Sequence, residues 1–141
     1  MRRIAVTTEI AAPVEKVWAE LTDTAAYPKW NPFIEELTGD LTVGERLQVR
    51  IAPPGGKAMT FRPTVTVVEP GLRLEWLGRL VMPGIFDGRH GFTLEATETG
   101  TRLTQEETFS GALVPLTAKT LAKTETGFRE MNEALKNRVE K

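Results

Sequence analysis

His90, Gln105 and Glu107 are the residues whose types and spacing suggest chemistry. His90 alternates along the chain with Phe86, Gly88, Phe92, Leu94 and Ala96, and Gln105 and Glu107 alternate with Leu103 and Phe109. In extended backbone a period of two puts each set on one face, so an imidazole, an amide and a carboxylate share an apolar surface. An imidazole beside a carboxylate can move a proton to or from a bound carbonyl compound, or orient a ligand through charge-assisted hydrogen bonds. His90 is the only histidine, and so the only side chain whose unperturbed titration lies near neutral pH. A polar group left without a partner in an apolar site costs roughly 1–3 kcal/mol or more. Two arrangements avoid that cost: His90 and Glu107 bond each other or pocket water, or they bond a ligand.

The elements that must position these residues begin with a hairpin in which Phe86 to Ala96 pairs with Arg102 to Ser110 around Thr99-Gly100. A two-residue loop there puts Phe92 opposite Glu107 and Leu94 opposite Gln105, with His90 and Glu107 as diagonal neighbours. A slip of two residues changes the partners and keeps the faces, whereas a slip of one would expose the apolar set. Before the hairpin, Ile4, Val6, Thr8 and Ile10 mark a first strand, and Pro13 opens a helix to about Leu21 through Val14, Val17, Trp18 and Leu21. Thr22 to Phe33 is an aromatic-rich connection with room for one helical turn. Strands follow at Ile34 to Leu37, Arg46 to Ile51, Met59 to Val68 and Leu72 to Leu80, the last with an apolar face of Leu72, Leu74, Trp76 and Leu80. Pro83-Gly84 breaks the chain before the hairpin.

From about Pro115 to Val139 the stripe Leu121, Phe128, Leu135 and Val139 predicts a helix of roughly seven turns. Its positions Glu125 and Asn132 fall near the inward face, where they close the polar end of a pocket; alternatively Glu125 sits at the solvent edge and Asn132 bonds a loop. Gly127 costs about 1 kcal/mol against alanine in mid-helix, which fits a close approach of another group. Trp76 and Phe92 face the expected cavity, Trp18 belongs to the core, and Arg62, Arg73, Arg79 and Arg89 lie on the opposite, solvated phase. The order β-α-β6-α, with short turns between strands, specifies an antiparallel sheet of an α+β fold in one domain, residues 1–141.

Composition excludes several function classes. Eighteen Lys and Arg against 19 Asp and Glu leave a net charge of -1, which gives no global attraction for nucleic acid or anionic membrane. The chain has no cysteine, so disulfides, thiolate metal sites and cysteine nucleophiles are ruled out, and a reducing, cytoplasmic setting fits. The N-terminus lacks a signal-peptide core, and no window approaches the ~18 apolar residues of a membrane span. No phosphate loop, dinucleotide fingerprint or histidine cluster is present. The expectation is therefore no metal and no cofactor.

Three segments carry a family resemblance. They are Ile10-Ala11-Ala12-Pro13-Val14-Glu15-Lys16-Val17-Trp18, Tyr27-Pro28-Lys29-Trp30-Asn31-Pro32-Phe33, and Phe86-Asp87-Gly88-Arg89-His90-Gly91-Phe92 ahead of a strand ending Glu107-Thr108-Phe109-Ser110-Gly111. With the element order, they resemble the SRPBCC superfamily of START-like lipid-binding and polyketide cyclase/dehydrase-like proteins. The resemblance implies a helix-grip fold: a curved antiparallel sheet of about seven strands wrapped around a long C-terminal helix over a mostly apolar pocket. It implies binding of a hydrophobic small molecule, a lipid or an aromatic polyketide-like metabolite, with His90, Gln105, Glu107, Trp76, Phe92, Leu94, Phe128 and Asn132 as its contacts. Two alternatives remain: a cofactor-independent cyclase or dehydratase using the same pocket, and a protein-binding module like the activators of heat-shock ATPases. The oligomeric state stays open, a homodimer included.

Overall fold

The computed structural model describes residues 1–80, 84, 86–114 and 117–141. Among the described residues, eight strands and three α-helices follow in the order β1 (Arg2–Ile10), α1 (Val14–Thr22), α2 (Tyr27–Trp30), β2 (Ile34–Thr38), β3 (Gln48–Ile51), β4 (Met59–Phe61), β5 (Thr64–Glu69), β6 (Arg73–Leu80), β7 (Phe86–Thr97), β8 (Gly100–Ser110) and α3 (Ala118–Val139). A 3-10 turn at Thr24–Ala26 leads into α2. The class is the expected α+β, with a curved antiparallel sheet and a long C-terminal helix. The strands form two ladders rather than one: a five-stranded sheet in the order β1-β8-β7-β6-β5 and a three-stranded sheet in the order β2-β3-β4.

Pro63 explains the division. The stretch Met59 to Val68, expected as one strand, splits into β4, which pairs with β3, and β5, which pairs with β6. Proline has no N–H for a ladder bond, so the chain leaves one sheet and enters the other there. Backbone bonds still join the sheets: the Leu47 N–H donates to the Pro63 carbonyl at 2.8 Å, and the Val65 N–H to the Glu45 carbonyl at 2.9 Å.

The β7–β8 register differs by two residues from the one a Thr99-Gly100 loop would give. Thr97 pairs with Gly100, so Glu98-Thr99 forms the loop, and His90 lies directly opposite Glu107 with Phe92 opposite Gln105. Gly100 holds the position because a Cβ there would come within 2.1 Å of the Ile10 carbonyl oxygen. The faces are those expected, as a two-residue shift requires. Leu72 is a second correction: it precedes β6 and is 56% exposed, while Leu74 and Trp76 are buried. The Leu80 side chain, Pro83 and Pro115 lie outside the described residues.

Helix α3 buries Leu121, Phe128, Met131, Leu135 and Val139 against the sheet. It lies along β1, an edge strand, as well as β8 and α1, and so covers an otherwise open edge. Asn132 Nδ2 donates to the Val6 carbonyl at 3.1 Å, and Lys136 Nζ to the Glu9 carbonyl at 3.0 Å. At Gly127 a Cβ would stand 2.2 Å from Cδ1 of Phe33, so the glycine admits the Phe33 ring, which meets Phe128 edge-on. The aromatic connection is itself tied down. Tyr27 Oη donates to the Leu21 carbonyl at 2.5 Å, and Asn31 Oδ1 accepts from the N–H groups of Phe33 and Ile34.

Of the four arginines expected on the solvated phase, Arg62 and Arg79 are exposed, whereas Arg73 and Arg89 enter an ion-pair network on the sheet's outer face. Arg73 bonds Glu75 at 2.8 Å and Glu106 at 3.0 Å, Arg89 bonds Glu75 at 2.9 Å, and Arg3 reaches Glu106. Gly91 makes room, since a Cβ there would meet the Arg73 guanidinium at 2.4 Å. Burial pushes the Glu75 carboxyl up, but hydrogen bonds from Thr66, Arg73 and Arg89 outweigh it and hold the group below the usual range. Glu106 is lowered in the same way, with burial outweighed by Arg3 and Arg73. Folded-state values below the unfolded value, about 4.3, make this stabilisation complete above that pH and lost as pH falls through the folded values. Urea titrations should therefore show stability dropping below about pH 4.5. Arg73→Leu should lower stability at pH 7 and flatten the acid slope; an unchanged slope would assign it to other groups.

Candidate functional site

The inward face of the large sheet carries Leu74, Trp76 and Gly78 on β6, and Phe86, Gly88, His90, Phe92 and Leu94 on β7. Gly78 and Gly88 are direct cross-strand partners. Two adjacent inward positions without side chains leave a hollow in an otherwise packed face. A cavity of about 240 Å³ lies there, bounded by β6, β7 and β8, by Val49, Ile51, Met59 and Phe61 of the small sheet, by Phe33, and by Leu121 of α3. Among the described residues its wall is apolar except for His90 and Glu107 on the sheet and Thr120 and Thr124 on the helix. Met59 is 54% exposed, which places β4 at the cavity's solvent side.

His90 is almost fully buried, stacked on Trp76 with ring centres 5.1 Å apart and packed against Phe92 and Phe128. Its Nε2 lies 2.9 Å from Gln105 Oε1. Gln105 Nε2 donates to Asn132 Oδ1 at 2.8 Å, and Asn132 Nδ2 donates to the Val6 carbonyl and to Thr8 Oγ1 at 3.2 Å. This chain satisfies three polar side chains that the core would otherwise leave unpaired. The other ring nitrogen, Nδ1, faces Glu107 Oε1 at 3.5 Å. The Glu107 carboxylate extends over Gly88, where a Cβ would meet Oε2 at 2.4 Å. Among the described residues no Lys or Arg pairs with it, unlike Glu75 and Glu106 on the outer face.

Three of the eight residues expected to contact a ligand, Trp76, His90 and Glu107, line the cavity. Gln105, Phe92, Leu94, Phe128 and Asn132 do not; they are fully buried around it. Gln105 and Asn132 form the polar chain behind His90, because helix α3 packs against β1 and β8 at that level and leaves no space there. Phe92 and Leu94 lie one and two inward positions deeper than His90. Glu125 is exposed and pairs with Arg129 at 3.5 Å, so it takes no part. Sequence reading missed Gly78, whose inward phase between Trp76 and Leu80 was the available signal, and it missed β4, whose contribution depends on the sheets' placement. Among the described residues, no group of three His, Asp or Glu side chains converges as a metal site, and no helix is long and apolar enough to cross a membrane.

No curated protein matches the chain. Solved structures do. Protein MLL2253 from Mesorhizobium loti is 27% identical with a TM-score of 0.77, over 96% of this chain and 95% of that one. DynU16, from the dynemicin biosynthetic locus, is 25% identical with a TM-score of 0.73 over 98% of this chain, which spans 47% of DynU16. Ara h 8.0201 shares the fold alone, at 14% identity and a TM-score of 0.74, with 98% and 97% of the two chains covered. The family model for polyketide cyclases/dehydrases and lipid transport matches residues 1–140. That match takes in both sheets, the C-terminal helix and every wall of the cavity, and the chain belongs to this family, within the SRPBCC superfamily.

Proposed function

We propose that residues 1–141 act as one domain that binds a hydrophobic small molecule, a lipid or an aromatic polyketide-like metabolite, in the cavity between the sheets and α3. The observation that carries this reading is an apolar cavity of about 240 Å³ with one polar spot, the His90–Glu107 pair. An engineered apolar cavity of ~150 Å³ accepts benzene, so this one has room for a compound of one or two rings. Aromatic walls supplied by Trp76, Phe86 and Phe109 suit a flat apolar body, and the pair orients its polar end. DynU16, in a biosynthetic locus, is a neighbour consistent with a metabolite as ligand. A second reading rests on the same pair: an imidazole and a carboxylate 3.5 Å apart can move a proton on a bound carbonyl compound, as a cofactor-independent cyclase or dehydratase would need.

Titration with a neutral, environment-sensitive dye such as Nile red tests the binding reading. Saturable uptake is expected, and Glu107→Gln should change affinity or its pH dependence more than Glu95→Gln, since Glu95 lies on the exposed outer face. Equal effects of the two substitutions, or no saturable uptake by the wild type, would refute it. Product formation from a candidate substrate, lost in both His90→Ala and Glu107→Gln, is the result that would establish turnover.

A further inference from the structure

The polarity of the buried hydrogen-bond chain determines what the cavity can recognise. Its end point is the Val6 carbonyl, which can only accept, so the Asn132 atom facing it at 3.1 Å must be the NH2 group. Asn132 therefore presents its oxygen to Gln105, and Gln105 must turn its own NH2 toward that oxygen and toward the Phe128 carbonyl at 3.5 Å. Gln105 Oε1 is then left for His90, whose Nε2 must carry a hydrogen to donate to it. Two backbone carbonyls thus assign the orientation of both amides and the tautomer of the ring, a network assignment of the usual kind. When the imidazole is neutral, Nδ1 is a bare lone pair facing Glu107.

The His90–Glu107 pair offers acceptors to the cavity in every state with fewer than two extra protons. With none, Nδ1 and both carboxylate oxygens accept. With one carried on Nδ1, its hydrogen faces Oε1 across 3.5 Å, and the lone pairs left over are on Glu107. Among the described residues no Lys or Arg lines the cavity; the other side-chain polar hydrogens there belong to the Trp76 indole and to Thr120 and Thr124, and the Thr124 hydroxyl is already bonded to the Thr120 carbonyl at 2.9 Å. Resting on the binding reading above, we propose that the cavity selects ligands whose polar end is a hydrogen-bond donor, an O–H or N–H group directed at Nδ1 and Glu107, and rejects anionic ends such as the carboxylate of a fatty acid. A donor between Nδ1 and Oε1 bridges two acceptors that otherwise face each other; a carboxylate there adds a third and brings a second negative charge into an apolar wall.

A series on one ring system tests this with wild-type protein: naphthalene, 2-naphthol, 2-methoxynaphthalene and 2-naphthoate, each displacing Nile red at pH 7. A hydrogen bond to a charged acceptor is worth a change of about tenfold or more. The expected order is 2-naphthol at least tenfold tighter than 2-methoxynaphthalene, with 2-naphthoate weaker than naphthalene. Equal affinity of the naphthol and its methyl ether, or tighter binding of the naphthoate, overturns donor selection while leaving the cavity reading intact. Failure of naphthalene and all three derivatives to displace the dye would instead count against the cavity reading. Glu107→Gln, which supplies an NH2 donor, should narrow the gap between naphthol and ether to less than threefold; a gap still at tenfold would show that Glu107 is not the acceptor.

Discussion

Gly78→Leu should abolish uptake of a neutral dye or ring compound while leaving a folded protein. A Cβ at Gly78 would have as nearest neighbours a Pro63 carbon at 3.8 Å and the Gly88 carbonyl oxygen at 3.9 Å, ordinary contacts, and the backbone there is not left-handed. The Cβ of a leucine therefore fits without moving the main chain, and because Gly78 lines the cavity the rest of the side chain is expected to take the space that a ligand ring would use. Two effects favour folding: a strand-interior glycine is replaced, and an apolar group fills a void. The midpoint of urea unfolding should accordingly stay the same or rise, while dye affinity falls by at least about a hundredfold, the change expected when about 3 kcal/mol of ring burial is lost. Gly78→Ala should give an intermediate loss. Undiminished binding in a folded Gly78→Leu protein would mean that ligand enters elsewhere.

Asn132→Leu should be the most destabilising single change at the site, although the cavity is not touched. Leucine is close in size, a better helix former by a few tenths of a kcal/mol, and apolar in a buried position. Those gains are small against what is left behind. The Val6 carbonyl loses its donor and Gln105 Nε2 keeps one long contact at 3.5 Å to the Phe128 carbonyl. At ~1–3 kcal/mol for each orphaned buried group, the loss is about 2–4 kcal/mol. A folded variant should also show altered His90, because Gln105 no longer has its amide held in one sense. Denaturant unfolding measures the first effect and the His90 ring resonances in NMR the second. A loss below about 1 kcal/mol with unchanged ring resonances would show that the chain from Val6 to His90 is not coupled.

The polar face of the site was legible because alternation is a local property. Phe86, His90, Phe92 and Leu94 had to share a face in any register that buried them, and Leu103, Gln105, Glu107 and Phe109 likewise. Which partner stood opposite was not legible, since a shift of two residues keeps both faces and changes every pair. In the observed register Gly100 sits where a Cβ would strike the end of β1, a contact between segments far apart in sequence. Pro63 did carry a readable signal: a residue unable to donate in a ladder stood inside a stretch expected as one strand, and the strand divides there.

The sequence by itself determined the α+β class, the element order apart from the division of one strand at Pro63, the amphipathic stripe of the last helix and the inward phase of His90, Gln105 and Glu107. Each follows from periodicities of two or 3.6 residues that any tertiary arrangement must respect. Only the tertiary structure decided which inward residues reach open space. Gly78 and Gly88 make a hollow because β6 and β7 pair them directly, and the small sheet closes it because the chain crosses between ladders at Pro63. Gln105 and Asn132, equally inward by period, became the wiring behind His90 because α3 presses against β1 and β8 at their level. Burial follows from phase along one strand, but a cavity is a mismatch between several packed surfaces, and no single strand or helix encodes it.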